Sequence, residues 1–139
     1  MRIISKKTFM YWTNILAVFI GSGLGGVCRY LVGRAVQRHV TATVFPWGTF
    51  AVNVAGCFLI GLFYGIFNRF APSALLSPHL RLLLTVGFCG GFTTFSTFIN
   101  ENYLLFQTSQ WLTVLGYLLL SVAVGFAMLY AGYFVSRLF

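Results

Sequence analysis

Acidic residues are almost absent from this sequence, and charge of either sign is scarce. Only one of its 139 residues is Asp or Glu, nine are Lys or Arg, and 7% of the chain is charged. Globular proteins average about 25% charged residues. A single carboxylate excludes catalysis by paired carboxylates and leaves no spare acid to orient a Ser–His pair. Since the sequence also lacks a Gly-x-x-x-x-Gly-Lys phosphate loop and a metal-ligand cluster, we predict that the chain is not an enzyme.

Cysteine is rare as well, and the few basic residues are dispersed. The number of cysteines is odd and all three lie in apolar stretches, which predicts packing rather than disulfides or metal ligation. The net charge of +8 comes from scattered cations, most of which flank apolar runs. This placement is typical of membrane anchors and indicates no nucleic-acid partner. The cysteines are Cys28, Cys57 and Cys89.

Long uncharged runs dominate the rest of the chain, which is 59% hydrophobic. A membrane-spanning helix needs about 20 mostly apolar residues, and the uncharged runs accommodate four such helices. We therefore predict an all-α membrane protein, with residues 1–139 forming one four-helix transmembrane domain. The expected helices cover about 13–32, 47–69, 81–105 and 111–135.

The third of these spans combines glycine, hydroxyls and the only acid of the chain. Gly90-Gly91 predicts a break in helix 3, because glycine costs about 1 kcal/mol relative to alanine inside a helix. Beyond the break, helical spacing separates an aromatic face from a polar face. Such an arrangement predicts an ion path, whereas a mere packing kink is the alternative. The polar face holds Thr93, Ser96, Thr97, Asn100 and Glu101.

Two more polar residues lie at membrane depth, and each has two interpretations. Asn53 shares a helix face with Thr49 and Gly56. A buried amide needs a partner, so Asn53 either faces an ion path or joins two helices. Arg29, near the end of helix 1, either extends to the membrane interface or faces a wet vestibule that gathers anions.

The placement of the single acid favours passive flow of an anion over proton-coupled export. A proton-coupled exporter normally needs an ionisable group deep in the membrane. Helix 1 contains no acid, and Glu101 is expected toward the end of helix 3. Hydroxyls, amide groups and the electropositive edges of phenylalanine rings can replace the water around an anion.

The segment 87–98 resembles the signature of the CrcB, or Fluc, fluoride channels of microbes. Segments 23–30 and 48–56 match the same family, so that the resemblance covers essentially residues 15–136. It implies passive fluoride export that lowers fluoride toxicity, carried out in the lipid bilayer of the cell (inner) membrane by an antiparallel dual-topology homodimer or by pairing with a paralogous chain. It also implies a structural, non-transported Na⁺ held by the backbone carbonyls of Gly90 and Thr93. The fluoride pathway would comprise Asn53, Phe95, Phe98, Thr94, Glu101, Tyr117 and Ser121, with Arg29 in the vestibule.

Two other functions are weighed against the channel. A small four-helix multidrug or cation exporter is disfavoured by the missing acid in helix 1. A non-conducting subunit of a membrane assembly would leave the polar face of helix 3 unexplained.

The distribution of basic residues bears on membrane orientation. Six cations are expected on the side of the N-terminus and two on the other, which favours a cytoplasmic N-terminus. Without the cations of the N-terminal segment the bias nearly vanishes, so we expect the core to insert in both orientations. The six are Arg2, Lys6, Lys7, Arg69, Arg81 and Arg137, and the two are Arg34 and Arg38.

Overall fold

The protein is a bundle of long helices in the computed structural model, which describes residues 2–40, 43–70 and 77–138. Within these residues four helices are long and apolar enough to cross a membrane, which confirms the all-α class and the four spans. Helix α1 covers Arg2–His39 and α2 covers Trp47–Phe70. The third span extends over Pro78–Gln107 and is composite.

Helix α1 extends beyond the predicted range 13–32 at both ends. Its 38 residues correspond to about 57 Å at 1.5 Å per residue, which exceeds the roughly 30 Å of a bilayer's hydrocarbon core. The polar residues beyond position 32 include Arg34 and Arg38, which are good helix formers, and no proline precedes Pro46. The helix therefore continues past its apolar stretch.

The third span consists of helical pieces of different pitch. Helix α3, Pro78–Leu82, begins with Ser77 as its cap, whose hydroxyl accepts the Leu80 N–H at 3.2 Å. A π-helical segment, Leu83–Cys89, follows, and then a short turn of α-helix, α4, at Gly90–Phe92. Helix α5 covers Phe95–Gln107. Wide π-helical turns are rare and often lie next to functional sites.

The interruption of the third span lies at Thr93-Thr94 and not at Gly90-Gly91, where the sequence predicted it. Gly90 has helical angles of φ −64° and ψ −38°. Thr93 and Thr94 are extended, with ψ of 158° and 115°. The correction has a physical reason: β-branched threonines favour extended backbone, whereas the second glycine serves close packing, since a Cβ on Gly91 would collide with the backbone of Ser22.

Two pairs of spans pack closely through glycine. Helix α1 packs against the π-helical segment and α4, and α2 packs along the last helix, α6, which covers Trp111–Val135. A Cβ on Gly25 would meet the Phe88 carbonyl, and one on Gly61 would meet the Leu129 carbonyl. Glycine at these positions lets the backbones of the paired spans approach closely, as small residues do between membrane helices.

The ends of the four spans lie together in two groups, one at each end of the bundle. At one end, Asn14 of α1 contacts His79 of α3 at 2.8 Å, and the Arg81 guanidinium lies 5.4 Å from the centre of the Tyr64 ring near the end of α2. At the other end, the start of α2 approaches the last turns of α1, where a Cβ on Gly48 would lie 3.1 Å from the Gly33 carbonyl. We call these the first and second ends of the bundle.

Candidate ion pathway

Asn53 of α2 replaces the hydrogen bonds that the third span loses at its interruption. Its Nδ2 donates to the Thr94 carbonyl at 3.1 Å, and its Oδ1 accepts the Thr94 N–H at 2.8 Å. Unpaired backbone groups inside a membrane cost several kcal/mol each. Asn53 therefore joins two spans, which is one of the two interpretations given above. Its NH₂ group has two N–H donors, and the bond to Thr94 uses only one of them.

Arg29 of α1 also contacts the interruption of the third span. Its Nη1 donates to the Thr93 carbonyl at 3.2 Å. Arg29 also lines a cavity of about 630 Å³ at the second end of the bundle, together with Tyr30, Arg34 and Glu101. Arg29 thus borders a cavity while its guanidinium is bonded to the backbone of the third span.

A row of hydroxyls follows the interruption along the start of α5. Thr94 Oγ1 donates to Thr97 Oγ1 at 2.9 Å and accepts the Thr97 N–H at 3.3 Å, so Thr94 caps α5. The Ser96 hydroxyl lies 3.4 Å from Thr94 Oγ1. Two members of the predicted polar face, Ser96 and Thr97, are therefore connected through Thr94 to the Asn53 contact.

Glu101, the only acidic side chain of the sequence, is bonded at both carboxylate oxygens. Thr49 of α2 donates to Oε1 at 2.6 Å, and Tyr117 of α6 donates to Oε2 at 2.9 Å. Tyr117 is completely buried. Charge-assisted hydrogen bonds of this kind are about twice as strong as neutral ones. Glu101 thus ties three spans together while it borders the cavity that also contains Arg29.

The two phenylalanines predicted for the pathway have different surroundings. Phe98 is 7% exposed, and its ring centre lies 4.7 Å from that of Tyr117 in an edge-to-face arrangement. Phe95 is 75% exposed, with its ring centre 6.1 Å from that of Phe98. Phe98 accordingly belongs to the interior of the chain, whereas Phe95 lies on its surface.

Ser121, one turn after Tyr117 on α6, has a buried hydroxyl that makes no hydrogen bond within the part of the chain that the structure describes. Gly90 lies beside the interruption and lines a second cavity, of about 410 Å³, with Asn53, Thr94 and Phe95. The Thr94 N–H, which would complete an α-helical bond to the Gly90 carbonyl, is instead bonded to Asn53. The structure therefore groups these residues in two sets: Asn53 with Thr94, Gly90 and Phe95 around one cavity, and Glu101 with Tyr117, on which Phe98 packs.

Comparison with known proteins assigns this arrangement to a family. Residues 16–133 match the family described as "CrcB-like protein, Camphor Resistance (CrcB)". The chain belongs to the CrcB family. Among curated CrcB-type relatives, the fluoride-specific ion channel FluC of Phocaeicola vulgatus is 43% identical over 89% of this chain and 98% of its own length. The channels of the same name from Bacteroides fragilis and Flavobacterium psychrophilum are 44% and 42% identical, over 91% and 89% of this chain and 98% and 97% of theirs.

These relatives confirm the resemblance seen in the sequence. The CrcB family is one of ion channels and not of enzymes, as the sequence predicted. With four helices able to cross a membrane, this CrcB chain is a multi-pass membrane protein.

Sequence reasoning missed two contributors to the site of this CrcB chain. Thr49 was noted on the Asn53 face but not as a site residue, although its spacing of four residues from Asn53 already placed both on one line of α2. Phe45 lies in the loop before α2 and packs its ring 5.0 Å from the centre of Tyr117. A loop residue follows no helical period, so the sequence contained no signal for this contact.

Proposed function

We propose that this chain forms a fluoride-selective channel of the cell (inner) membrane. The observation that carries the proposal is the line of polar groups from Thr94 to Glu101 along a span that is interrupted at membrane depth. Polar side chains within membrane spans are costly and usually mark an ion path. The named function of the relatives identifies the ion as fluoride.

Neutral donors along this line supply the hydrogen bonds that fluoride loses when it leaves water. The buried Ser121 hydroxyl, unpaired among the described residues, has its proton free for an anion. Asn53 has one amide N–H beyond the hydrogen bond to Thr94. A path of neutral donors binds the anion without trapping it as a fixed buried cation would.

The ring edges of Phe98 and Phe95 contribute a weaker attraction. Aromatic rings are electropositive at the edge and negative at the face. Phe98 is held by its edge-to-face contact with Tyr117, which is itself fixed by Glu101. The buried ring is therefore preorganised, and the exposed Phe95 ring becomes enclosed when a second chain covers it.

Fluoride leaves the cell passively in this mechanism. Hydrogen fluoride enters as a neutral molecule and ionises inside, and a negative interior then drives the anion outward with about 2.3 kcal/mol per charge per 100 mV. Arg29 and Arg34 line the 630 Å³ cavity, and Glu101 is its only acidic residue. Because the two positive charges outnumber the one negative charge, this cavity attracts anions to the second end of the bundle. Export of this kind lowers fluoride toxicity without a pump.

A second chain completes the pathway. The 410 Å³ cavity holds Asn53, Gly90 and Thr94 and opens on the surface of the single chain. Polar groups at this depth cannot face lipid without a large cost. We propose an antiparallel, dual-topology homodimer in which a second copy covers this cavity and the exposed Phe95, with a paralogous chain as the alternative partner.

A structural Na⁺ fits the same place. The Gly90 carbonyl has lost its α-helical donor, and carbonyl oxygens suit a hard cation. The Thr93 carbonyl accepts one hydrogen bond from Arg29 and keeps its second lone pair. Each chain would offer these two oxygens, so both copies together would hold a non-transported ion.

Purified protein in liposomes, with fluoride and chloride release followed by electrodes, tests the proposal. We expect fast fluoride release and no chloride release. Proton-linked uptake of a cation would instead indicate the multidrug or cation exporter. If size-exclusion chromatography shows that the protein is folded and no flux of any ion is observed, the protein would be a non-conducting assembly subunit.

A further inference from the structure

Two arginines meet in a small cavity at the first end of the bundle, far from the proposed ion path. The cavity, of about 280 Å³, lies between the last turns of α2 and α6 and is lined by Arg69, Arg137, Tyr133 and Ser136. Gly65 lines it too, and a Cβ there would collide with the Ser136 hydroxyl. The glycine therefore lets the two helix ends approach closely enough for both arginines to border one cavity.

The two guanidinium groups are held in place yet keep free donors. Arg69 Nη1 donates to the Arg137 backbone carbonyl at 2.8 Å, and the Arg137 guanidinium lies 4.9 Å from the centre of the Tyr133 ring. Each guanidinium has five N–H donors, so the Arg69 bond uses only one of them. Both side chains are solvent-exposed, which leaves the remaining donors accessible.

No carboxylate side chain of the protein can neutralise this pair. Glu101 is the only acidic residue in the sequence, and both of its oxygens are bonded to Thr49 and Tyr117 near the second end. The C-terminal ends of α2 and α6 contribute only about half a negative charge each. The two guanidinium groups therefore give the cavity a positive charge that no side chain of the protein neutralises, and such a charge attracts anions.

We propose that this cavity binds the phosphate of an anionic phospholipid. Arginine forks match phosphate oxygens in a bidentate manner, and basic pockets between membrane helices bind lipid headgroups. The site lies at the end of two membrane-spanning helices, which is the level of the headgroups, and the Tyr133 ring gives it the amphipathic character of that level. In an antiparallel pair of chains, one such site would face each leaflet.

Native mass spectrometry of the delipidated full chain, titrated separately with phosphatidylglycerol, phosphatidylcholine and inorganic phosphate, tests the site. We expect preferential retention of phosphatidylglycerol by the unchanged protein. Arg137→Gln and Arg69→Gln should each weaken that retention about fivefold, the effect of one basic residue near an anionic membrane. Arg38→Gln removes one charge at the second end and should leave retention unchanged.

Arg137→Gln is the decisive variant, because Arg69 bonds to the backbone carbonyl of residue 137 and keeps that partner in the variant. If the Arg137→Gln variant retains phosphatidylglycerol as well as the unchanged protein does, the proposal is wrong, even if Arg69→Gln fails to fold. An equal loss in Arg38→Gln would mean that total charge alone attracts the lipid, which also overturns it. Displacement of the lipid by inorganic phosphate at equal concentration would show a free-phosphate site instead.

Discussion

Replacing Asn53 by aspartate separates two roles of this side chain: pairing with the Thr94 backbone and the proposed donation of a hydrogen bond to fluoride. In the structure its Oδ1 accepts the Thr94 N–H and its Nδ2 donates to the Thr94 carbonyl. Aspartate keeps the acceptor, loses the donor and sets a carboxylate oxygen against the Thr94 carbonyl oxygen. An unpaired buried carbonyl costs about 1–3 kcal/mol, so we expect Asn53→Asp to fold and assemble with reduced stability.

The effect on conduction should be far larger than the effect on stability. A carboxylate about 4 Å from fluoride repels it by about 4 kcal/mol at an effective dielectric constant of 20. Since every 1.4 kcal/mol is a factor of ten, fluoride flux should fall about a thousandfold.

Fluoride release from liposomes at neutral pH measures this effect, with size exclusion to verify assembly. Asn68→Asp is the matched control: it makes the same change on an exposed residue at the far end of α2 and should conduct normally. Normal flux through Asn53→Asp would refute the assignment of Asn53 to the pathway.

Three further predictions concern the rings, the cation and the orientation. Phe98→Ile should slow fluoride flux about two- to tenfold, which corresponds to the interaction energy of one aromatic pair, and Phe95→Ile should slow it as well. Unchanged flux in both variants would mean that the rings serve only packing. Replacing Na⁺ by a large organic cation should inactivate the channel slowly, and persistent activity would contradict a structural Na⁺ at Gly90 and Thr93. C-terminal reporters active only inside or only outside the cell should both give signal. An inside-only signal that survives removal of residues 1–7 would contradict the homodimer.

Much of the membrane architecture could be predicted because it depends on composition and helical period. The four spans followed from the length of the apolar runs, and α6 occupies the expected range 111–135. The polar face of the third span followed from the same periodicity. The connection of Thr94 to Thr97 and the position of Glu101 among three helices agree with that face.

What could not be predicted depends on contacts between elements. Glycine propensity located the interruption at Gly90-Gly91, but both residues continue the helix, and Gly91 packs closely against the backbone of Ser22. The backbone leaves the helix at Thr93-Thr94, where Asn53 of another span offers replacement hydrogen bonds. Phe45 was missed for the same reason, since its contact with Tyr117 joins a loop to a distant helix.

The reversal potential of the fluoride current tests passive conduction through neutral donors most directly. With purified protein in a bilayer and a tenfold fluoride gradient, the account predicts that the current reverses at about 59 mV, the value for a single charge moving alone. Imposing a pH gradient or replacing chloride should leave that value unchanged. A reversal potential that follows the pH gradient would show that protons are coupled to fluoride and would contradict the account.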